Sequence, residues 1–163
     1  VTLKRAFPPV ANAHTRVLVL GSLPGEMSLA AGRYYAHPQN ALWRLVGHVL
    51  DEDIAALPYE QRLERLLARG MGLWDTIETA RREGSLDSAI KDAQARDLKA
   101  LAATLPSLRA LAFNGGTSTK IGMKMMAGSH LALIGLPSSS PAYAAMRFEQ
   151  KAAAWEVLRP YLD

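Results

Sequence analysis

Between Tyr34 and Asn40 the chain gathers two phenols, an imidazole and two side-chain amides around Pro38. The Asn40 amide can both accept from and donate to a water molecule. It has no useful pKa, so it would orient that water rather than deprotonate it. Asn is also a good helix N-cap, and a helical pattern starts at this residue. The company of Tyr35, His37 and Pro38 favours the water-orienting role. Tyr34 and Tyr35 offer flat faces for stacking, and either could instead anchor the loop through a solvated hydroxyl. His37 either lends positive charge to a departing group or holds the loop.

Several other chemistries are excluded. The chain has no cysteine, which removes disulfides, thiolate metal sites and cysteine-ligated iron–sulfur clusters. His14, His37, His48 and His130 lack metal-ligand spacing, so neither metal nor cofactor is expected. Gly21-Ser-Leu-Pro-Gly25 is not a nucleotide P-loop, and no strand is followed by G-x-G-x-x-G. Ser22 follows a strand but lacks the G-x-S-x-G elbow of an α/β hydrolase.

These residues require elements that hold them. Arg16 to Leu20 is a short apolar run that predicts a buried strand, and Gly21 to Gly25 forces a loop that continues to Pro38. From Asn40, Leu42, Leu45, Val46, Val49 and Leu50 recur with helical spacing. A second helix is expected from about Pro58 to Gly70, followed by Gly72 to Asp75 as a short connection. Residues 81 to 95 are polar with little periodicity and suggest a surface excursion. Further helices are expected over 97–105, 117–126 and 147–158, with Ile121 and Met125 on one face of the middle one. Further strands are expected over 108–113 and 131–136. Alternating strands and helices imply an α/β layer with a mainly parallel sheet, and ligands bind such sheets at the carboxyl ends of the strands. The loops after Leu20, Phe113 and Leu136 all fall there. The 163 residues suit a single domain, 1–163.

A formal charge of +4 suits an anionic partner such as DNA. No apolar run approaches the roughly 18 residues of a membrane span, and Val1 to His14 lacks a signal-peptide core. A soluble, intracellular protein is expected.

Residues 21–43, GSLPGEMSLAAGRYYAHPQNALW, resemble the first motif of the uracil-DNA glycosylase superfamily, and in particular its hypoxanthine (deoxyinosine) glycosylase branch. Leu136-Pro-Ser-Ser-Ser-Pro141 is similar to the second motif, while Gly72–Asp75 and Phe113–Gly115 lie where the family has its middle elements. Two positions depart from the pattern. Leu42 stands where an aromatic residue is expected, and Ala142-Tyr143 where Ala-Asn often follows Pro141.

The resemblance implies a three-layer α/β/α sandwich around a central, mainly parallel four-stranded sheet. It implies a DNA repair enzyme that hydrolyses the N-glycosidic bond of a flipped-out deaminated base, most readily hypoxanthine. Uracil as the main substrate, or a catalytically inactive DNA-binding module, are the alternatives. The reaction passes through an oxocarbenium-like sugar and needs a positioned water more than a strong nucleophile. Asn40 would be catalytic, with His37 in possible support. Gly21, Ser22, Leu23, Tyr35, Asp75 and Asn114 would contact the base. Tyr35 would stack on it, and Asp75 would accept from hypoxanthine N1–H, which adenine lacks. Asp75 could instead cap the segment after it, and Asn114 could simply brace the Gly115-Gly116 turn. Ser138, Ser139 and Ser140 would meet DNA phosphates, and Tyr143 would enter the base stack or pack on the protein. Arg44, Lys120, Lys124 and Arg147 are candidate phosphate neighbours. Neither motif holds a lysine, so no Schiff base and no lyase step are expected. The implied partner is damaged DNA, with no membrane, and the protein would be a monomer. Its place would be the cytoplasm, at the bacterial nucleoid.

Overall fold

The structure, a computed structural model, describes residues 3–163. Its strands are β1 (Leu3–Arg5), β2 (Val17–Gly21), β3 (Met71–Asp75), β4 (Ile77–Arg81), β5 (Lys91–Ala95), β6 (Ala110–Asn114) and β7 (Ala132–Leu136). Its helices are α1 (Glu26–Ala31), α2 (Leu42–Leu50), α3 (Tyr59–Ala68), α4 (Leu98–Ala103), α5 (Gly116–Met125) and α6 (Phe148–Trp155). A 3₁₀ segment, Glu156–Leu162, follows α6.

Strands β3, β2, β6 and β7 pair in that order, all parallel. Alternation along β2 explains the layers. Val17 and Val19 pack with Leu42, Leu45 and Val46 of α2, Leu66 of α3 and Trp155 of α6. Leu18 and Leu20 face the other way, toward Leu98 of α4 together with Leu111, Phe113 and Met126. Helices thus cover both faces, as a parallel sheet requires, and the three-layer expectation holds.

Helix α5 lies very close to the sheet. A Cβ on Gly122 would come within 2.0 Å of the Phe113 ring, so only glycine fits. Ser118, on the same face, donates its hydroxyl to Leu20 O at 2.6 Å. Ile121 and Met125 do not share the buried face. They flank it and pack into different clusters.

Four further expectations need correction. Gly72–Asp75 is not a connection: Met71–Asp75 is a fully buried strand in register with β2, Gly21 opposite Asp75. Its local sequence lacks β-branched residues, and sheet pairing makes it a strand. The loop after Gly21 contains a helix, α1, that is too short for periodicity to show. Helix α2 starts at Leu42, which leaves Asn40 outside it. The polar excursion is organised. Strands β1, β4 and β5 form a second, antiparallel sheet, although every residue of β5 is exposed. Strand β4 follows β3 after one residue, and Ile77 N–H donates to Ser22 O at 3.0 Å. The excursion therefore springs from beneath the first motif.

A candidate active site at the carboxyl edge of the parallel sheet

The loops after β2 and β7 and the last residues of β3 and β6 border one cleft of about 390 Å³, within the range of small-molecule sites. Its floor begins where β2 ends. A Cβ on Gly21 would sit 2.7 Å from Asp75 Oδ1 and 2.9 Å from the Tyr35 hydroxyl, so the bare backbone here lets both groups approach.

Asp75 ends β3, 3 % exposed, and its Oδ2 has no hydrogen-bond partner in the structure. Burial pushes its carboxyl up to about 7, and the Asp87 charge adds to this, while Arg96 and Arg82 oppose it. An unsatisfied carboxylate oxygen in a cleft is an acceptor awaiting a donor.

Tyr35 has φ +52, a left-handed conformation that is strained for a side chain of this size. It is held from both ends. Trp43 donates its indole N–H to Tyr35 O at 3.1 Å, and Asn114 Nδ2 donates to the Tyr35 hydroxyl at 3.3 Å. Burial and the neighbouring Asp75 raise the phenol's pKa, so it stays neutral. Tyr34 is the loop anchor of the pair, buried and donating its hydroxyl to Pro8 O at 2.9 Å.

Asn114 ends β6 and is fully engaged. Its Nδ2 also donates to Ser139 Oγ at 2.9 Å, and its Oδ1 accepts from Ser139 N–H at 2.9 Å. The middle serine of the second motif is therefore turned inward, 1 % exposed. Ser138 and Ser140 are only partly buried and line the cleft beside Pro141 and Tyr143. Trp155 donates its indole N–H to Pro137 O at 3.1 Å and so fixes the root of this loop. Ala41 N–H donates to Ser139 O at 3.0 Å, joining the two motifs directly beside Asn40.

Asn40 lines the cleft mouth, half-buried, and its Oδ1 accepts from Leu42 N–H at 3.0 Å. It thus supports the start of α2 with one lone pair. The second lone pair and the NH₂ group remain for a ligand. His37 also lines the cleft, with Nδ1 accepting from Gln39 N–H at 3.1 Å, which leaves Nε2 as the free ring nitrogen.

The sequence-predicted residues Gly21, Ser22, Leu23, Tyr35, His37, Asn40, Asp75, Asn114, Ser138, Ser139, Ser140 and Tyr143 thus meet around one cleft. Leu23 contributes little more than backbone, because its side chain packs against Ala6, Ile77 and Ala80. Tyr143 is 42 % exposed, with the Lys151 ammonium 5.4 Å from its ring centre. Arg44 stacks over Phe148 at 4.1 Å, and neither it nor Lys120, Lys124 or Arg147 lines the cleft. Among the described residues no cluster of His, Asp or Glu could hold a metal ion, and no helix is long and apolar enough to cross a membrane.

One wall was missed from sequence. Ser85, Leu86 and Asp87, together with Glu26 and Met27, also line the cleft. Arg82, its side chain fully buried, clamps this segment to the first motif by donating to Leu23 O and Pro24 O. No periodicity marks residues 82–90, and nothing in their sequence signals a part in the site.

Residues 8–159 match the model of the uracil DNA glycosylase superfamily, and the chain belongs to that superfamily. It is 42 % identical over 115 residues to a hypoxanthine DNA glycosylase of Methanosarcina barkeri (strain Fusaro / DSM 804), covering 71 % of this chain and 73 % of that one. It is also 42 % identical over 113 residues to a hypoxanthine DNA glycosylase of Methanosarcina acetivorans, covering 69 % and 72 %. A solution NMR structure from Methanosarcina acetivorans, described as a candidate uracil DNA glycosylase, shares the fold with a TM-score of 0.88. Its sequence identity is 36 %, over 98 % of this chain and 99 % of that one.

Proposed function

We propose that this protein is a monofunctional DNA glycosylase that removes hypoxanthine from DNA. The observation that carries the reading is the convergence of Asn40, Tyr35 and Asp75 on one cleft. The names of the two Methanosarcina relatives support hypoxanthine as the base.

In this reading the deoxyinosine nucleotide swings out of the duplex and its base enters over Gly21. The Tyr35 ring stacks on it, and Asp75, once ionised at pH values above about 7, accepts from N1–H. Adenine has no hydrogen on N1 and would leave the Asp75 oxygen unsatisfied, which disfavours binding. Asn40 holds a water near C1′. As the bond from N9 to C1′ breaks, its electron pair leaves with the base, and the water oxygen bonds to C1′. Asn40 orients this water and does not take up its proton, which passes through solvent to the departing base anion, leaving neutral hypoxanthine and an abasic sugar with a C1′ hydroxyl.

Ser138 and Ser140 contact backbone phosphates at the rim, and Tyr143 covers the gap in the stack. Ser139 instead acts through Asn114, holding the loop in shape. Lys151, the lysine that touches the second motif, donates to the Ser140 backbone O at 3.3 Å and does not line the cleft. This favours hydrolysis without a Schiff base.

The test uses duplexes with a single deoxyinosine, deoxyuridine or deoxyxanthosine, treated with alkali after incubation. Breaks are expected at deoxyinosine and only after alkali. Breaks at deoxyuridine alone would reassign the base. Binding without breaks at any lesion would make the protein a DNA-binding module.

A further inference from the structure

Two carboxylates flank the backbone of the cleft floor at consecutive residues. Asp75 Oδ1 lies against Gly21. Asp87 Oδ1 accepts from the Ser22 hydroxyl at 2.6 Å, and Arg82 lies 3.8 Å from the same oxygen. Both line the same cleft, and each carboxylate lies within electrostatic reach of the other. Asp87 belongs to neither motif. It reaches the site because the 82–90 segment is strapped down at several points. The buried Arg82 donates to Leu23 O and Pro24 O. Ser85 Oγ accepts from Glu26 N–H at 2.9 Å, and Lys4 joins Glu26 to Gly84 O. So much anchoring of one exposed polar segment argues for a purpose at the cleft. The Asp87 side chain is 40 % exposed, and with one oxygen taken by Ser22 its Oδ2 is left for a ligand.

We infer that Asp87 is a specificity-determining residue whose carboxylate rejects bases carrying carbonyls on both sides of the N–H read by Asp75. The inference rests on the reading of the site as a base pocket. In hypoxanthine N1–H has the O6 carbonyl on one side and C2–H on the other. Uracil N3–H is flanked by carbonyls on both sides, and xanthine has a carbonyl at C2. Asp75 lies against Gly21 and Asp87 is bonded to the adjacent Ser22, so with Asp75 on the N–H the Asp87 carboxylate would face a flank of that N–H, to which hypoxanthine alone of the three can turn a C–H. A polarised C–H tolerates a carboxylate oxygen as a weak donor. A carbonyl oxygen there would set two negative dipoles against each other in a partly desolvated site, with Ser22 already committed and unable to compensate. Rejection by a placed repulsion selects a base more strongly than shape alone. The groups facing Asp75 from neighbouring segments are Arg96, Asp87, Arg82 and the Tyr35 and Tyr34 phenols. Among them Asp87 is the one carboxylate.

The experiment measures single-turnover excision of deoxyinosine, deoxyuridine and deoxyxanthosine from otherwise identical duplexes. It compares the wild-type protein with Asp87→Asn, Asp87→Glu and Ser22→Ala. Asn keeps the shape and the bond from Ser22 but removes the charge. Its ratio of deoxyuridine or deoxyxanthosine to deoxyinosine excision should rise by about tenfold, the scale of a single discriminating contact. Glu keeps the charge and should retain the wild-type ratio. Ser22→Ala frees Asp87 without touching Arg82 and should relax the ratio partway, which keeps the proposal testable if Asp87→Asn misfolds. Unchanged ratios in Asp87→Asn and Ser22→Ala, or a proportionate loss of all three activities, would overturn the inference. Wild-type protein that fails to excise deoxyinosine would instead overturn the reading of the site beneath it.

Discussion

Asn114 and Asn40 bring the same side-chain amide to the same cleft and are used in opposite ways. Asn114, on the floor, spends both its oxygen and its nitrogen on Ser139 and Tyr35 and is 7 % exposed. Asn40, at the mouth, gives one lone pair to Leu42 N–H and keeps the rest free. The serines of the second motif divide likewise. Ser139 is locked inside, whereas the hydroxyls of Ser138 and Ser140 make only local turn bonds. Buried polar groups must be satisfied within the protein, because water cannot reach them. In the proposed reading the floor therefore sets the shape of the site, and the rim supplies the groups that act on a ligand. Asp75 is the exception, buried like the floor yet with a free oxygen like the rim.

Four measurements sharpen or break this division. The largest effect is expected at the rim. Asn40→Ala should slow deoxyinosine excision by about 10²–10³-fold, the scale of losing one oriented transition-state contact. Its stability should fall by only about 1 kcal/mol, through weakened support of α2. Full activity in this variant would move the catalytic group elsewhere.

Asp75→Asn tests the exception. Below about pH 4 the wild-type carboxyl is protonated in both the folded and unfolded states. Between there and about 7 the unfolded state ionises while the folded state keeps its proton. Folding then becomes less favourable as pH rises, and the loss is complete above 7. The neutral amide lacks this decline. Asp75→Asn should therefore gain stability over wild type from pH 4 to pH 8, by an amount on the order of a few kcal/mol. Denaturant titrations across that range measure it, and a constant difference would show that the carboxyl is not held up by burial.

Asn114→Ala should cost about 1–3 kcal/mol, because it strands the buried Ser139 N–H. Unlike Asn40→Ala, it should lower both stability and DNA affinity, since the whole second loop loosens. The smallest effect is expected at Tyr143. Its ring is 42 % exposed, so Tyr143→Ala should leave thermal unfolding unchanged. It should weaken binding to lesion-bearing duplex by about five- to tenfold, the loss of one stacking contact. A clear drop in melting temperature would instead assign Tyr143 to packing.

The first and second motifs were legible because their chemistry is local. Gly21, Pro24, Tyr35, Pro38, Asn40 and the serines between Pro137 and Pro141 sit within two short stretches. Turn residues and functional side chains there occur together. Strands β2, β6 and β7 were legible from their apolar runs. Strand β3 was not, because Met71-Gly-Leu-Trp-Asp75 has no strand-like pattern of its own and becomes a strand by pairing with β2. The wall formed by Ser85 to Asp87 was silent for a similar reason. Ser85 to Asp87 become part of the cleft only because Arg82, distant in sequence from the first motif, donates to Leu23 O and Pro24 O.

Sequence alone determined the kind of chemistry here, since residue type decides what an amide, a phenol or a carboxylate can do. It also determined the family, since the two motifs carry its pattern. Only the tertiary structure decided which of these groups are free to act. Ser138 and Ser139 are neighbours of identical composition, yet one lines an open edge and the other is bound to Asn114. Solvation and long-range hydrogen bonding set that difference, and both depend on segments brought together by folding rather than on neighbours along the chain.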